Sequence, residues 1–64
     1  MTLAEYLEKN KLSDEDFAQR IGAHRTEIWN YRTGRRMPKA DKVAAIEEAT
    51  GGEVRAKDFI SDAA

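Results

Sequence analysis

No cysteine occurs among the 64 residues, and histidine, proline and tryptophan appear once each. Without thiols the chain has no disulfide framework, no thiolate zinc site and no thiol nucleophile. The lone His24 cannot build a metal site without help from carboxylates. Long apolar runs are missing too. The stretch "VAAI" at 43–46 falls far short of the roughly 20 residues of a membrane-spanning helix. The N-terminus "MTLAEYLEKN" is amphipathic and acidic, not basic and then apolar as in a secretory signal. There is no internal repeat, low-complexity tract or linker, so one domain over residues 1–64 is expected, in a reducing cytoplasm. The sequence offers no nucleophile–base pair, no phosphate-binding glycine loop and no metal-ligand spacing. An enzyme, a cofactor, a small-molecule substrate and a membrane partner are therefore not expected.

Net charge is nearly absent, but the charged residues are strongly ordered along the chain. The formal net charge is −1. Residues 1–23 carry three bases and five acids, and residues 43–64 carry two bases and five acids. Residues 24–42 carry six bases (Arg25, Arg32, Arg35, Arg36, Lys39, Lys42) against two acids, Glu27 and Asp41. A basic middle lies between acidic ends. A solvated charged surface is the plain explanation of such a run.

Apolar residues recur at helical spacing throughout. Leu3, Tyr6 and Leu7 mark a first helix, with Thr2 and Glu5 spaced as a capping box. Ser13 suits an N-cap, and Asp14, Glu15 and Asp16 fill the first turn of a second helix, where acidic groups complement the helix dipole. That placement accounts for the acidic cluster "SDEDF" without any catalytic role. Phe17, Ala18 and Ile21 give this helix its inner face, and Gly22 can end it in a left-handed conformation. A third helix begins near Arg25, with Ile28 and Tyr31 inward and Gly34 as its stop. Pro38 suits the start of a fourth helix, lined by Val43, Ile46 and Ala49 and ended by Gly51 and Gly52. Val54, Phe59 and Ile60 then predict an extended link into a short last helix, although β-branched Val54 equally suits the start of a strand. The expected fold is all-α, a bundle of four to five short helices.

Two short helices joined by a tight glycine-containing turn form a helix-turn-helix. Small Ala18 lets the second and third helices approach closely. With Ile28 and Tyr31 turned inward, Arg25, Thr26, Glu27, Trp29, Asn30 and Thr33 are forced outward, where a recognition helix meets the major groove.

The span "LSDEDFAQRIGAHRTEIWNYRTGRRMPKADKVAAIEEATG" resembles the lambda-repressor/Cro-type (Xre-like) helix-turn-helix family. The matching features are "LS" before an acidic turn, "FAQRIG", a polar cap, an isoleucine with an aromatic three residues on, and "GRRMP". The tail "AIEEATGGEVRAKDF" further resembles small Cro-like prophage regulators and YdaS-type antitoxin-like repressors. The resemblance implies a lambda-repressor-like bundle, a bacterial or phage-encoded protein, and a dimer repressing from a pseudo-palindromic operator in double-stranded DNA. It places base readout on the helix at residues 25–33, at Arg25, Thr26, Trp29 and Asn30. Arg25 matches guanine O6 and N7, Asn30 matches adenine N6 and N7, and Thr26 suits a thymine or a phosphate. Ser13, Gln19, Arg35, Arg36 and Lys39 are the expected phosphate contacts, which fix register without reading sequence. A weak homodimer completed on DNA is expected, joined through the last helices or the tail, with Val54, Phe59 and Ile60 as core, interface or both.

Some residues depart from this family's pattern. Asp14 puts a carboxylate where a neutral or basic residue is usual, so it must point away from the duplex or weaken binding. Glu27 can accept from cytosine N4 or pair with Arg25 or a neighbouring arginine. Trp29 has three open roles: packing on thymine methyls and sugars, folding back across the helix surface near the N-terminal helix, or anchoring a protein partner. His24 is placed to cap the third helix or, when protonated, to touch a phosphate. The reading from another class is a protein-interaction module, antitoxin-like or polymerase-binding, that keeps the helix-turn-helix fold.

Overall fold

A computed structural model describes residues 1–59. The elements are α1 (Leu3–Lys9), α2 (Asp14–Ile21), α3 (Arg25–Arg32), α4 (Ala40–Ala49) and a 3-10 turn at Ala56–Phe59. The described residues contain no strand, and Val54 enters a bend instead of a sheet. The expected role of Ile60 lies outside the described residues.

Local chemistry starts and stops each helix. At α1 the Thr2 backbone N–H donates to Glu5 Oε1 at 2.8 Å, and the Glu5 N–H returns to Thr2 Oγ1 at 3.2 Å. Ser13 and Asp16 repeat this reciprocal box at α2, at 3.0 and 3.3 Å. Two otherwise unpaired N–H groups are thereby satisfied at each start. Gly22 ends α2 at φ +67°, and its successor Ala23 donates back to the Ala18 carbonyl at 2.9 Å. This left-handed cap redirects the chain within two residues, so α3 crosses α2 at once.

The start of α4 differs from expectation. Its first residue is Ala40 and its N-cap is Lys39, which makes no side-chain cap bond. Pro38 precedes the helix and is buried, so the ring serves as packing for the connection and not as the first helical residue. At the other end Thr50 is buried, donates to the Ile46 carbonyl at 2.8 Å and accepts from the Val54 N–H at 3.1 Å. One hydroxyl thus ends α4 and turns the chain so that Val54 enters the core.

Phe17, Ile28, Ile46 and Val54 are fully enclosed, one from each of α2, α3 and α4 and one from the final segment. Leu3, Tyr6, Leu7 and Ala18 complete the buried cluster, with Leu12, Ile21, Tyr31, Ala49 and Phe59 packed around it. The Tyr6 and Phe17 rings meet edge to face with centroids 6.1 Å apart. Each fully buried large side chain contributes on the order of 1.5–3 kcal/mol by leaving water. Four such residues drawn from four segments lock α2 and α3 into one fixed relation, and that relation sets the outward face of α3. Val54 is therefore core and takes no part in an interface, because its side chain is inaccessible.

Candidate nucleic-acid interface

The third helix is short and its inner side is anchored by Ile28, with Tyr31 half-buried beside it. Its start is capped by His24, whose Nδ1 accepts from the Thr26 N–H at 3.1 Å. The imidazole thus takes the cap role usually filled by a side-chain oxygen, with Nδ1 as the acceptor. This satisfies one orphan N–H at the end of α3 that would enter a groove first.

Beyond α3 the chain folds back. Gly34 adopts φ +77°, and the Asn30 carbonyl accepts from both the Arg35 and Arg36 N–H groups, at 2.9 and 3.2 Å. Thr33 directs its hydroxyl to the Trp29 carbonyl at 2.6 Å. These bonds bring the two arginines back alongside the helix they follow. The Arg35 guanidinium consequently lies over the Trp29 ring, 4.7 Å from its centroid. The cation faces the electron-rich side of the indole and shields it from water on that side.

Two recesses flank the helix. Asp14, Arg25, Thr26 and Trp29 line one of roughly 280 Å³. On the opposite side, the connection into α4 forms another of roughly 310 Å³, whose walls include Asn30, Arg36 and Lys39. Arg25, Thr26 and Trp29 are exposed, while Asn30 is half-buried at the edge of the second recess. The four expected base-reading residues thus share one side of α3, divided between its two flanks. Of the expected phosphate contacts, Gln19, Arg35, Arg36 and Lys39 are exposed. Ser13 is also exposed, and its Oγ already accepts the Asp16 N–H, which leaves only its hydroxyl proton to donate.

The acids sort differently from expectation. Glu27 pairs with Lys42 of α4 at 3.7 Å and with no arginine. At 100° per residue it sits 200° from Arg25 but only 60° from Asn30, so it faces α4 and shares the second recess with Asn30. Asp14 receives two bonds from Arg32: Nε to Oδ1 at 2.6 Å and Nη2 to Oδ2 at 3.1 Å. Its carboxylate is paired at the protein surface, and the hydrogen bond with Asp14 raises the Arg32 pKa above its ordinary value. Sequence reasoning counted Arg32 among the basic run without a role. Its partner lies 18 residues away, and no local signal announces the pair. Arg25, Arg36 and Lys39 join none of the ion pairs among the described residues. With Arg35, which meets the Trp29 ring, four cations next to α3 thus lack a carboxylate within bonding distance among the described residues.

A helix-turn-helix family model matches residues 3–56. The chain belongs to the helix-turn-helix family of the Xre and lambda-repressor type. This family consists of DNA-binding regulatory domains, not enzymes. The protein is accordingly a DNA-binding helix-turn-helix regulator. Within it, α2 and α3 are the two helices of the motif, and Gly22 stands at the turn between them. No curated protein and no solved structure gives a significant match to the chain. Among the described residues of this regulator, no helix is long and apolar enough to cross a membrane.

Proposed function

We propose that this regulator is a Cro-like repressor of phage or prophage origin, a single domain that binds a pseudo-palindromic operator as a weak homodimer. The observation that carries the reading is the outer side of α3. There Arg25, Thr26 and Trp29 are exposed, and cations without carboxylate partners among the described residues stand on both flanks. Arg25 reads guanine through its planar fork, Asn30 reads adenine, and Thr26 meets a thymine or a phosphate. Ser13, Gln19, Arg36 and Lys39 hold the sugar–phosphate backbone. Arg35 adds a contact through guanidinium N–H groups, which join no protein carboxylate among the described residues while the group sits over Trp29.

The dimer contact falls to α4 and the segment after it. Phe59 is half-buried there, and Val54 is enclosed in the core. Two recognition helices then sit about 34 Å apart, one turn of B-DNA. Steric occlusion of a promoter by the bound dimer is the simplest regulatory action for a domain of this size.

Selection of bound duplexes from a random pool at physiological salt tests the reading. The expected result is an enriched pseudo-palindrome with half-sites one helical turn apart. Recovery of unrelated sequences at no more than background would overturn it. It would favour the protein-interaction module instead, for which Trp29, 38 % exposed, is the natural anchor.

A further inference from the structure

We propose that Arg35 is a positioning residue for Trp29, and that the clamped indole reads the 5-methyl group of one thymine in the operator. The inference rests on the DNA-binding reading of α3 and adds to it a specific chemical group and the residue that prepares the protein for it.

Trp29 is the largest side chain on the presented side of α3, and at 38 % exposure its ring is neither buried nor free. Arg35 covers the ring at 4.7 Å, and its backbone is anchored by the N–H bond to the Asn30 carbonyl, which places the base of the side chain beside the indole. A loose indole would lose rotamer freedom on meeting DNA. One held before contact has already lost it. Arg35 does not line the recess that Trp29 shares with Asp14, Arg25 and Thr26, so the stack leaves that side of the indole open. The recess has a mainly apolar lining, with Thr26 and Arg25 both among its walls.

The only apolar group that a base pair offers in the major groove is the thymine methyl. An aromatic wall beside a threonine is a complementary surface for it. Arg25 at the same margin suits the adjacent guanine or phosphate, which ties the methyl contact to a definite register. Asp14 would repel the duplex from this recess were it not held by two bonds from Arg32. The recess is thus electrically open to DNA while its surface stays apolar.

The test replaces each thymine of a selected operator by uracil in turn, which removes one methyl and leaves every hydrogen-bonding group in place. Affinity of the unaltered protein should fall about fourfold at one thymine per half-site, the scale of a single buried methyl-sized group. Trp29→Ala should bind thymine and uracil operators equally. Arg35→Ala should shrink the thymine-to-uracil ratio to about twofold or less, and Arg35→Lys should restore part of it by returning a cation to the ring. The ratio isolates positioning, because any lost phosphate contact of Arg35 weakens both duplexes alike. Circular dichroism confirms that these surface variants are folded. A ratio near one at every thymine would overturn methyl reading while leaving operator binding intact. A full ratio in Arg35→Ala would overturn the positioning role. Absence of any duplex binding by the unaltered protein would overturn the DNA-binding reading itself, and this inference with it.

Discussion

Arg32, the last residue of α3, grips Asp14, the first residue of α2, through two parallel bonds of 2.6 and 3.1 Å. The pair closes the third side of a triangle whose other two sides are the helices of the motif and whose apex is Gly22. It fixes the angle at which α3 leaves the body of the protein. It also pairs Asp14, the one of the three carboxylates in the first turn of α2 that lines the recess beside Arg25.

Both side chains remain partly in water, at 35 % and 24 % exposure, so solvent screening limits the pair to roughly 0.5–1 kcal/mol in a double-mutant cycle followed by urea unfolding. Its effect on DNA should be larger than its effect on folding. Arg32→Ala leaves Asp14 uncompensated and should weaken duplex binding, whereas Asp14→Ala should leave it equal or stronger. Equal losses from the two substitutions would refute the electrostatic account.

Arg25→Ala and Asn30→Ala are each expected to cost about 1–3 kcal/mol against the selected operator and to relax preference at one base pair. Arg36→Ala and Lys39→Ala should instead weaken binding to all duplexes alike. Each should lower the slope of log affinity against log salt by about one. Titrations at several salt concentrations distinguish the two classes. Unchanged slopes in the latter variants would remove them from the backbone contacts.

Gly22→Ala should destabilise the domain by about 1–2 kcal/mol, because an L side chain at φ +67° crowds its own carbonyl. A Cβ built there meets nothing within 4 Å, so the cost is conformational and not a clash with neighbours. Thermal melts of Gly22→Ala and Gly22→Asn check this, since asparagine tolerates the left-handed region and should retain more stability.

Phe17→Ala removes a fully enclosed ring at the meeting point of α1, α2 and α3. The expected loss is about 3–5 kcal/mol. That is comparable with the whole stability of a domain this small, at roughly 0.05–0.15 kcal/mol per residue. The variant should be largely unfolded by circular dichroism at 37 °C.

Stability should fall on the acid side. The Thr2 backbone N–H holds the Glu5 carboxyl below its ordinary value, and the Arg55 N–H does the same for Asp58. A carboxylate depressed in the folded state stabilises above its unfolded pKa, and that stability is lost as pH falls through the folded pKa. The midpoint of urea unfolding should therefore drop as pH falls below the ordinary carboxylate range. Glu5→Gln, which keeps the hydrogen-bond acceptor, should flatten part of that drop. A profile as steep in the variant would assign the loss to other groups. On the alkaline side, burial raises the Tyr31 phenol, so its contribution should fade only as pH rises beyond the ordinary phenol range.

Helix starts and stops were legible because they depend on chemistry within three or four residues. Thr2 with Glu5, Ser13 with Asp16, and Gly22 after Ile21 each carry their own explanation. The inward residues were legible for a similar reason. Once a segment is helical, the spacing of Phe17, Ala18, Ile28 and Ile46 fixes which side is apolar. The start of α4 was not, because Pro38 is compatible with a first helical turn, yet the helix begins two residues later at Ala40.

The charges divide along the same line. The sequence alone determined that six bases gather between residues 24 and 42, and that a helix with an apolar inner side lies among them. Only the tertiary structure decided which of those charges are free. Arg32 is taken by Asp14, Lys42 by Glu27, and Arg35 by the ring of Trp29. Arg25, Arg36 and Lys39 keep no such partner among the described residues. Ion pairing and stacking act over a few ångströms in space, between residues that helix crossing brings together from 6 to 18 positions apart. No local pattern encodes that distance, so it emerges only when the helices are packed.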